Sequence, residues 1–288
     1  MTDQIPAEFQ TAILKDFPEL AGGKFSLLTK GWHSIAIDVD DRMMFKFPRH
    51  EQAEKALRKE ARLLEIVRPA VSLPIPDLAL HQGPPLFSSH QKLKGDHLVT
   101  AQYETLPEQA RQWLAAEMAR FYAELHALDK DRMKDAGASS IEAWVPAENI
   151  LKQIAPVLPR QLTVFAEKTI DAFQRLEPDP YGHTYGFFDG HGWNMAFDHT
   201  SQTLNGIYDF ADSGFGPLHQ EFIYSSLISA DLTARIVNEY EQITGCHLDR
   251  QRIRILTGVH RLSELAELAD DPEHVPMMLK FLEQWAAQ

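Results

Sequence analysis

Cysteine is almost missing from this chain: Cys246 stands alone among 288 residues, so no internal disulfide can form and no C-x-x-C zinc spacing exists. Nothing here requires an oxidising compartment. No apolar run approaches the length of about 18 residues that a membrane-spanning helix needs. The opening MTDQIPAEFQ lacks the basic and apolar regions of a secretory signal, and a cytoplasmic location is expected. Positive charge is scarce as well, with 28 Lys plus Arg against 41 Asp plus Glu and a net charge of −13. That balance argues against nucleic acid and anionic membranes, which reward clustered cations, and it suits a small cationic substrate. Repeats and low-complexity tracts are absent, which removes solenoid and array folds.

What is present is a globular composition, 44% hydrophobic and 24% charged, with enough apolar area to offset chain entropy. Short β-type runs cover 24–31, 34–40 and 42–48, with Asp40-Asp41 as a turn. An amphipathic helix follows at 51–67, and a proline-rich stretch crosses 72–87. From about 107 the chain reads as helical, beginning with 107–129, and it is interrupted by an aromatic and β-branched block near 181–217. The pattern predicts an α+β protein of two lobes, a small β-rich lobe over 1–93 and a larger, mostly helical one over 94–288. A cleft between two such lobes is a favoured place for a ligand.

The 51–67 helix carries a charge on its apolar stripe. Ala53, Leu57, Leu64 and Val67 mark the buried face, and the position completing it is Glu60. A buried carboxylate is costly unless paired. Lys46, inside the strand Met43-Met44-Phe45-Lys46-Phe47, is an equally misplaced cation. Either the two meet, or Glu60 sits at the stripe's edge while Lys46 snorkels to water. A strand Lys held by a helix Glu is how kinases position the phosphates of ATP.

The segment YGFFDGHGWNMAFDHTSQTLNGIYDFADSGFGP spans 185–217. Asp189 follows an aromatic run, Asn194 comes five residues later, and MAFD and NGIYDF read as two strands of a hairpin. With the turn centred on Ser201 and Gln202, Asn194 falls opposite Asp209. Their oxygens suit a hard cation such as Mg²⁺, and Asp189 is placed to accept a hydroxyl proton.

Taken in this order, the motifs resemble the aminoglycoside phosphotransferase / choline kinase-like family, relatives of the protein kinases, over about 24–222. The carriers are Lys46, LRKEARLLEIV (57–67), SSHQKLKGDHL (88–98), AAEMARFYAELHALD (115–129), FFDGHGWN (187–194) and IYDFAD (207–212). The resemblance implies a two-lobed protein-kinase-like fold and transfer of the γ-phosphate of ATP or GTP to a hydroxyl of a small, cationic molecule such as an aminoglycoside. It implies Asp189 as catalytic base, Asn194 and Asp209 as Mg²⁺ ligands, and Lys46, braced by Glu60, on the phosphates. Gly31-Trp32-His33-Ser34 is expected to cover the nucleotide, with Ser34 touching phosphate.

The chain departs from the family pattern in places. Phe187-Phe188 replaces the usual His-Gly, and Glu221 takes the place of an Asp that braces the loop. The first departure leaves open a nucleotide-binding pseudokinase, and the acceptor class leaves open choline or homoserine. The family's carboxylate-lined acceptor pocket points to Glu221, Asp231, Glu264, Glu267, Asp270 and Asp271 as partners of substrate amines. His191 is read as a satisfied loop histidine and Trp193 as packing.

Overall fold

A computed structural model describes residues 5–30 and 34–287 of the chain. In chain order its elements are α1 (Ala7–Asp16), β1 (Phe25–Lys30), β2 (Ser34–Val39), β3 (Met43–Pro48), α2 (Glu51–Val67), β4 (Ala79–His81), β5 (Phe87–Gln91), α3 (Thr100–Tyr103) and α4 (Glu108–His126). They continue as α5 (Lys130–Asp135), α6 (Ala147–Ile154), α7 (Arg160–Gln174), β6 (His183–Gly186), β7 (Met195–Asp198), β8 (Thr203–Ile207), β9 (Gly214–Pro217), α8 (Ala230–Thr244), α9 (Arg250–Glu267) and α10 (Val275–Ala286). Two compact units result: residues 1–97, 127–138 and 194–211 form one, and 98–126, 139–193 and 212–288 the other. No helix among the described residues is long and apolar enough to cross a membrane.

In the first unit, five strands make one sheet in the order β1-β2-β3-β5-β4. Asp40 and Asp41 turn β2 into β3 with φ of 58° and 53°, the pair of positive angles that a tight hairpin needs. Strand alternation sends Phe45 and Phe47 to a fully buried cluster with Ile13, Ile37, Val39 and Phe87. Lys46, between the two phenylalanines, therefore faces the other way. α2 has the bounds its periodicity predicts; the His50 side chain caps it by accepting the N–H of Ala53 at 3.2 Å. Gly95, at φ 141°, brings the chain against the backbone of Ala196, only 2.5 Å from where a Cβ would stand.

The second unit is mostly helical. One core gathers α6, α7, α9 and α10 around Ile150, Ile154, Leu162, Val259, Leu262 and Leu282. α4 ends at His126, short of the expected 129, because Asp129 instead caps α5 by accepting the N–H of Arg132 at 2.7 Å. The block at 181–217 divides between the units: β6 pairs with β9 in the helical unit, and β7 pairs with β8 in the other.

Candidate active site

The chemistry-bearing residues form two clusters, one in each unit. In the first unit Lys46 Nζ lies 3.2 Å from Asp209 Oδ1, with the lysine side chain 18% exposed and the aspartate 48%. Glu60 does lie on the buried face of α2, 3% exposed, yet its Oε1 accepts the backbone N–H of Phe210 at 3.0 Å. Glu60 acts on Lys46 through its charge, while the ion pair of the lysine is with Asp209. Glu60 holds the strand end beside Asp209, and the ammonium turns to Asp209 itself. Burial works to lower the Lys46 pKa, but the charges of Asp209 and Glu60 outweigh it and raise the pKa above its ordinary value.

The β7–β8 register differs by one residue from the expected one. Met195 pairs with Ile207, and the carbonyl of Asn194 accepts the N–H of Tyr208 at 3.1 Å, so Asn194 faces Tyr208 rather than Asp209. The turn sits earlier because the Asp198 carboxylate accepts the N–H groups of Thr200 and Ser201, and a shift at Ala196/Phe197 absorbs the extra residue. Asn194 and Asp209 still end neighbouring strands, and Asp209 adopts φ 71° just past β8. Among the described residues no group of three or more His, Cys, Asp or Glu is arranged around a metal position. Asparagine and aspartate oxygens are of the kind Mg²⁺ takes, commonly one or two from the protein together with substrate phosphates. Ser34 opens β2, half-buried, while Gly31-Trp32-His33 lies outside the described residues.

In the second unit the loop bearing Asp189 is held from beneath. Phe187 and Phe188 are buried, and Phe187 meets Phe121 edge-on at 5.8 Å. Phe188 has φ 53°, a conformation that glycine adopts freely and a bulky residue rarely does. The Glu221 carboxylate accepts the N–H of Phe187 at 3.0 Å and of Phe188 at 2.8 Å, and its Oε2 lies 3.3 Å from His126 Nε2. Glu221 has no exposed surface, so it is a brace for the loop and not a carboxylate available to substrate. The buried Tyr122 hydroxyl, without a hydrogen-bond partner among the described residues, stands where a Cβ on Gly190 would be.

His191 is more involved than a satisfied loop histidine. Its Nε2 lies 3.0 Å from Asp189 Oδ1, while its buried Nδ1 has no hydrogen-bond partner among the described residues. Burial pulls its pKa down, but the hydrogen bond and charge of Asp189 prevail and raise it. Trp193 is 39% exposed rather than packed away.

The acidic candidates do not form one set. Asp231 accepts the Tyr103 hydroxyl at 2.6 Å and Arg235 Nε at 2.9 Å at the start of α8, a structural role. Asp271 binds His274 Nδ1 at 2.7 Å. Glu264 pairs with Arg261 at 3.0 Å. Glu267 accepts the Ser263 hydroxyl at 3.2 Å, and burial with nearby Glu142 and Glu264 raises its pKa. Asp270 is exposed.

A five-stranded sheet with a lysine on its third strand and a glutamate on the next helix, alongside a helical unit with an aspartate loop, is the kinase-like mixed α/β fold. The model of the phosphotransferase enzyme family APH matches residues 24–256, and the chain belongs to that family. Among solved structures, the GDP complex of wild-type aminoglycoside 2′-phosphotransferase-IIIa is similar at 21% identity and a TM-score of 0.80, covering 99% of each chain. The ternary complex of streptomycin, ATP and APH(2″)-IIa matches at 17% identity and a TM-score of 0.66, covering 98% of this chain and 97% of that one. Macrolide 2′-phosphotransferase type I matches at 16% identity and a TM-score of 0.69, covering 98% and 99%. At these identities the likeness is one of fold. No curated protein matches the chain.

Proposed function

We propose that this phosphotransferase moves the γ-phosphate of ATP or GTP to a hydroxyl of a small molecule in the cytoplasm, with residues 1–93 and the hairpin within 194–211 serving the nucleotide and the rest of 94–288 the acceptor. Asp189 accepts the hydroxyl proton, and His191 orients it. Lys46, charged and pointed by Asp209, binds phosphate oxygens, and Glu60 fixes the chain at Phe210. Ser34 serves the phosphates at the start of β2. Asn194 and Asp209 hold Mg²⁺, which when bound neutralises charge on the phosphates.

The observation that carries this reading is the Lys46–Asp209 ion pair at 3.2 Å on a hairpin whose other strand begins at Asn194. Asp189 precedes Asn194 by five residues, the spacing of a kinase catalytic loop. The nucleotide complexes of the similar structures support ATP or GTP as donor. The bracing of Phe187 and Phe188 by Glu221 favours a working loop over a pseudokinase, because the loop stays anchored without the usual histidine. Glu264, Glu267 and Asp270 are the carboxylates we assign to an amine of the acceptor. Acidity is concentrated accordingly: residues 1–93 carry 12 cations and 12 anions, and 94–288 carry 16 and 29.

The test is acceptor-dependent ADP or GDP release across aminoglycosides, macrolides, choline, amino sugars and homoserine. Asp189→Asn is expected to abolish release while the nucleotide still raises Tm. Release that persists in that variant would overturn the reading.

A further inference from the structure

The catalytic loop borders an apolar pocket in the helical unit. It has a volume of about 270 Å³, and Leu98, Val99, Trp193, Leu227, Ile228 and Phe281 line it. Gly192 and Trp193, which contribute to its wall, lie three and four residues after Asp189. The Leu98 N–H donates to the Gly192 carbonyl at 3.1 Å, so the wall opposite is tied to the loop itself. Among the described residues no charged side chain lines the pocket. Thr100, in the lining, turns its hydroxyl to the Leu227 carbonyl at 3.4 Å. None of the acidic candidates Glu264, Glu267 and Asp270 reaches it.

Two of the large hydrophobic side chains left exposed in the chain, Val99 and Trp193, both 39% exposed, meet at this pocket. A convergent apolar surface that the protein leaves open beside a reactive loop marks a ligand site. The volume lies at the low end for ligand pockets, so it suits part of a molecule rather than the whole of one. An ammonium placed here would lose water and gain no partner.

We propose that the acceptor is amphiphilic, with an apolar body seated against Trp193, Val99 and Phe281, its reacting hydroxyl extending toward Asp189 and its amine left to the carboxylates outside the pocket. The proposal deepens the phosphotransferase reading and rests on it. Apolar contact here selects the substrate by its carbon skeleton and leaves the chemistry to the loop.

N-alkylglucamines from methyl to octyl keep one amine and the same hydroxyls while lengthening the apolar part. Binding is read from the fluorescence of Trp193, assigned by difference with Trp193→Phe, and turnover from ADP release. Affinity is expected to rise by up to about fourfold per methylene while the pocket fills, and to exceed that for kanamycin. Val99→Asp, at an exposed rim position, is expected to flatten the chain-length dependence and weaken octylglucamine at least about tenfold, with the ATP-induced rise in Tm retained. Equal affinity along the series, preference for kanamycin, or indifference to Val99→Asp overturns the proposal. Chain-length-dependent binding without ADP release, with ATP still raising Tm, overturns the assignment of the bound molecule as acceptor. Loss of both ATP responses brings down the phosphotransferase reading and the proposal with it.

Discussion

The Glu221 carboxylate accepts the Phe188 backbone N–H at 2.8 Å, one residue before Asp189, and it does so with no exposed surface of its own. A buried carboxylate costs several kcal/mol unless its oxygens are satisfied. Here two loop amides and His126 Nε2 lie within hydrogen-bond range of it. The reactive loop is thereby fixed to the helical unit through its main chain.

Glu221→Gln keeps the shape but turns an NH₂ group toward an N–H donor. It is expected to cost about 1–3 kcal/mol of stability, measured by urea unfolding, and to lower kcat because the peptide before Asp189 loses its anchor. An unchanged unfolding midpoint would show that the brace is dispensable.

Phe188 sets strain against packing. Its left-handed conformation, φ 53°, costs about 1–2 kcal/mol, which a glycine would remove. Deleting a buried aromatic ring costs about 3–5 kcal/mol. Packing wins, so Phe188→Gly is expected to destabilise by roughly 1–4 kcal/mol in a denaturant titration.

Asp209→Asn separates activity from stability. The aspartate side chain is 48% exposed, so the loss of its ion pair is expected to change stability by less than about 1 kcal/mol. In the proposed function Asp209 aims Lys46 at phosphate and offers oxygen to Mg²⁺, roles that matter far more in the transition state. A fall in kcat of about 10²–10³ is expected, with a nearly unchanged Tm.

His191 gives a pH signature. Its pKa in the fold lies above the ordinary value of 6.5, because Asp189 outweighs burial. The stabilisation from its protonated form is therefore complete below about pH 6.5 and disappears as pH rises through the raised value. The difference in urea midpoint between the parent and His191→Gln is expected to be widest near pH 5.5 and to close on the alkaline side. A gap that widens with pH would contradict the Asp189–His191 pairing.

Much of this was legible before any coordinates. Glu60 announced itself by breaking an apolar stripe, and it is indeed 3% exposed. Lys46 did so by interrupting a strand. The hairpin was visible from its two apolar runs around a polar turn, but its register was not. The turn position depends on which amides the Asp198 carboxylate accepts, and a one-residue shift changes neither the composition nor the alternation of either strand.

The acceptor side was less legible. Acidic residues near the C-terminus looked alike in sequence, yet several are committed to arginines, histidines, backbone amides or a tyrosine. Trp193, read as packing, lines an open pocket whose walls come from residues as distant as Leu98 and Phe281. No local pattern links such positions.

Sequence by itself pointed to the main strands and helices and to the groups proposed to react, because periodicity and charge placement act over a few neighbouring residues. Only the tertiary structure decided what those groups touch. Glu60 meets the amide of a residue 150 positions away, and Glu221 meets amides 33 and 34 positions away. Burial makes such distant partners obligatory: a carboxylate removed from water has to find donors wherever the fold brings them.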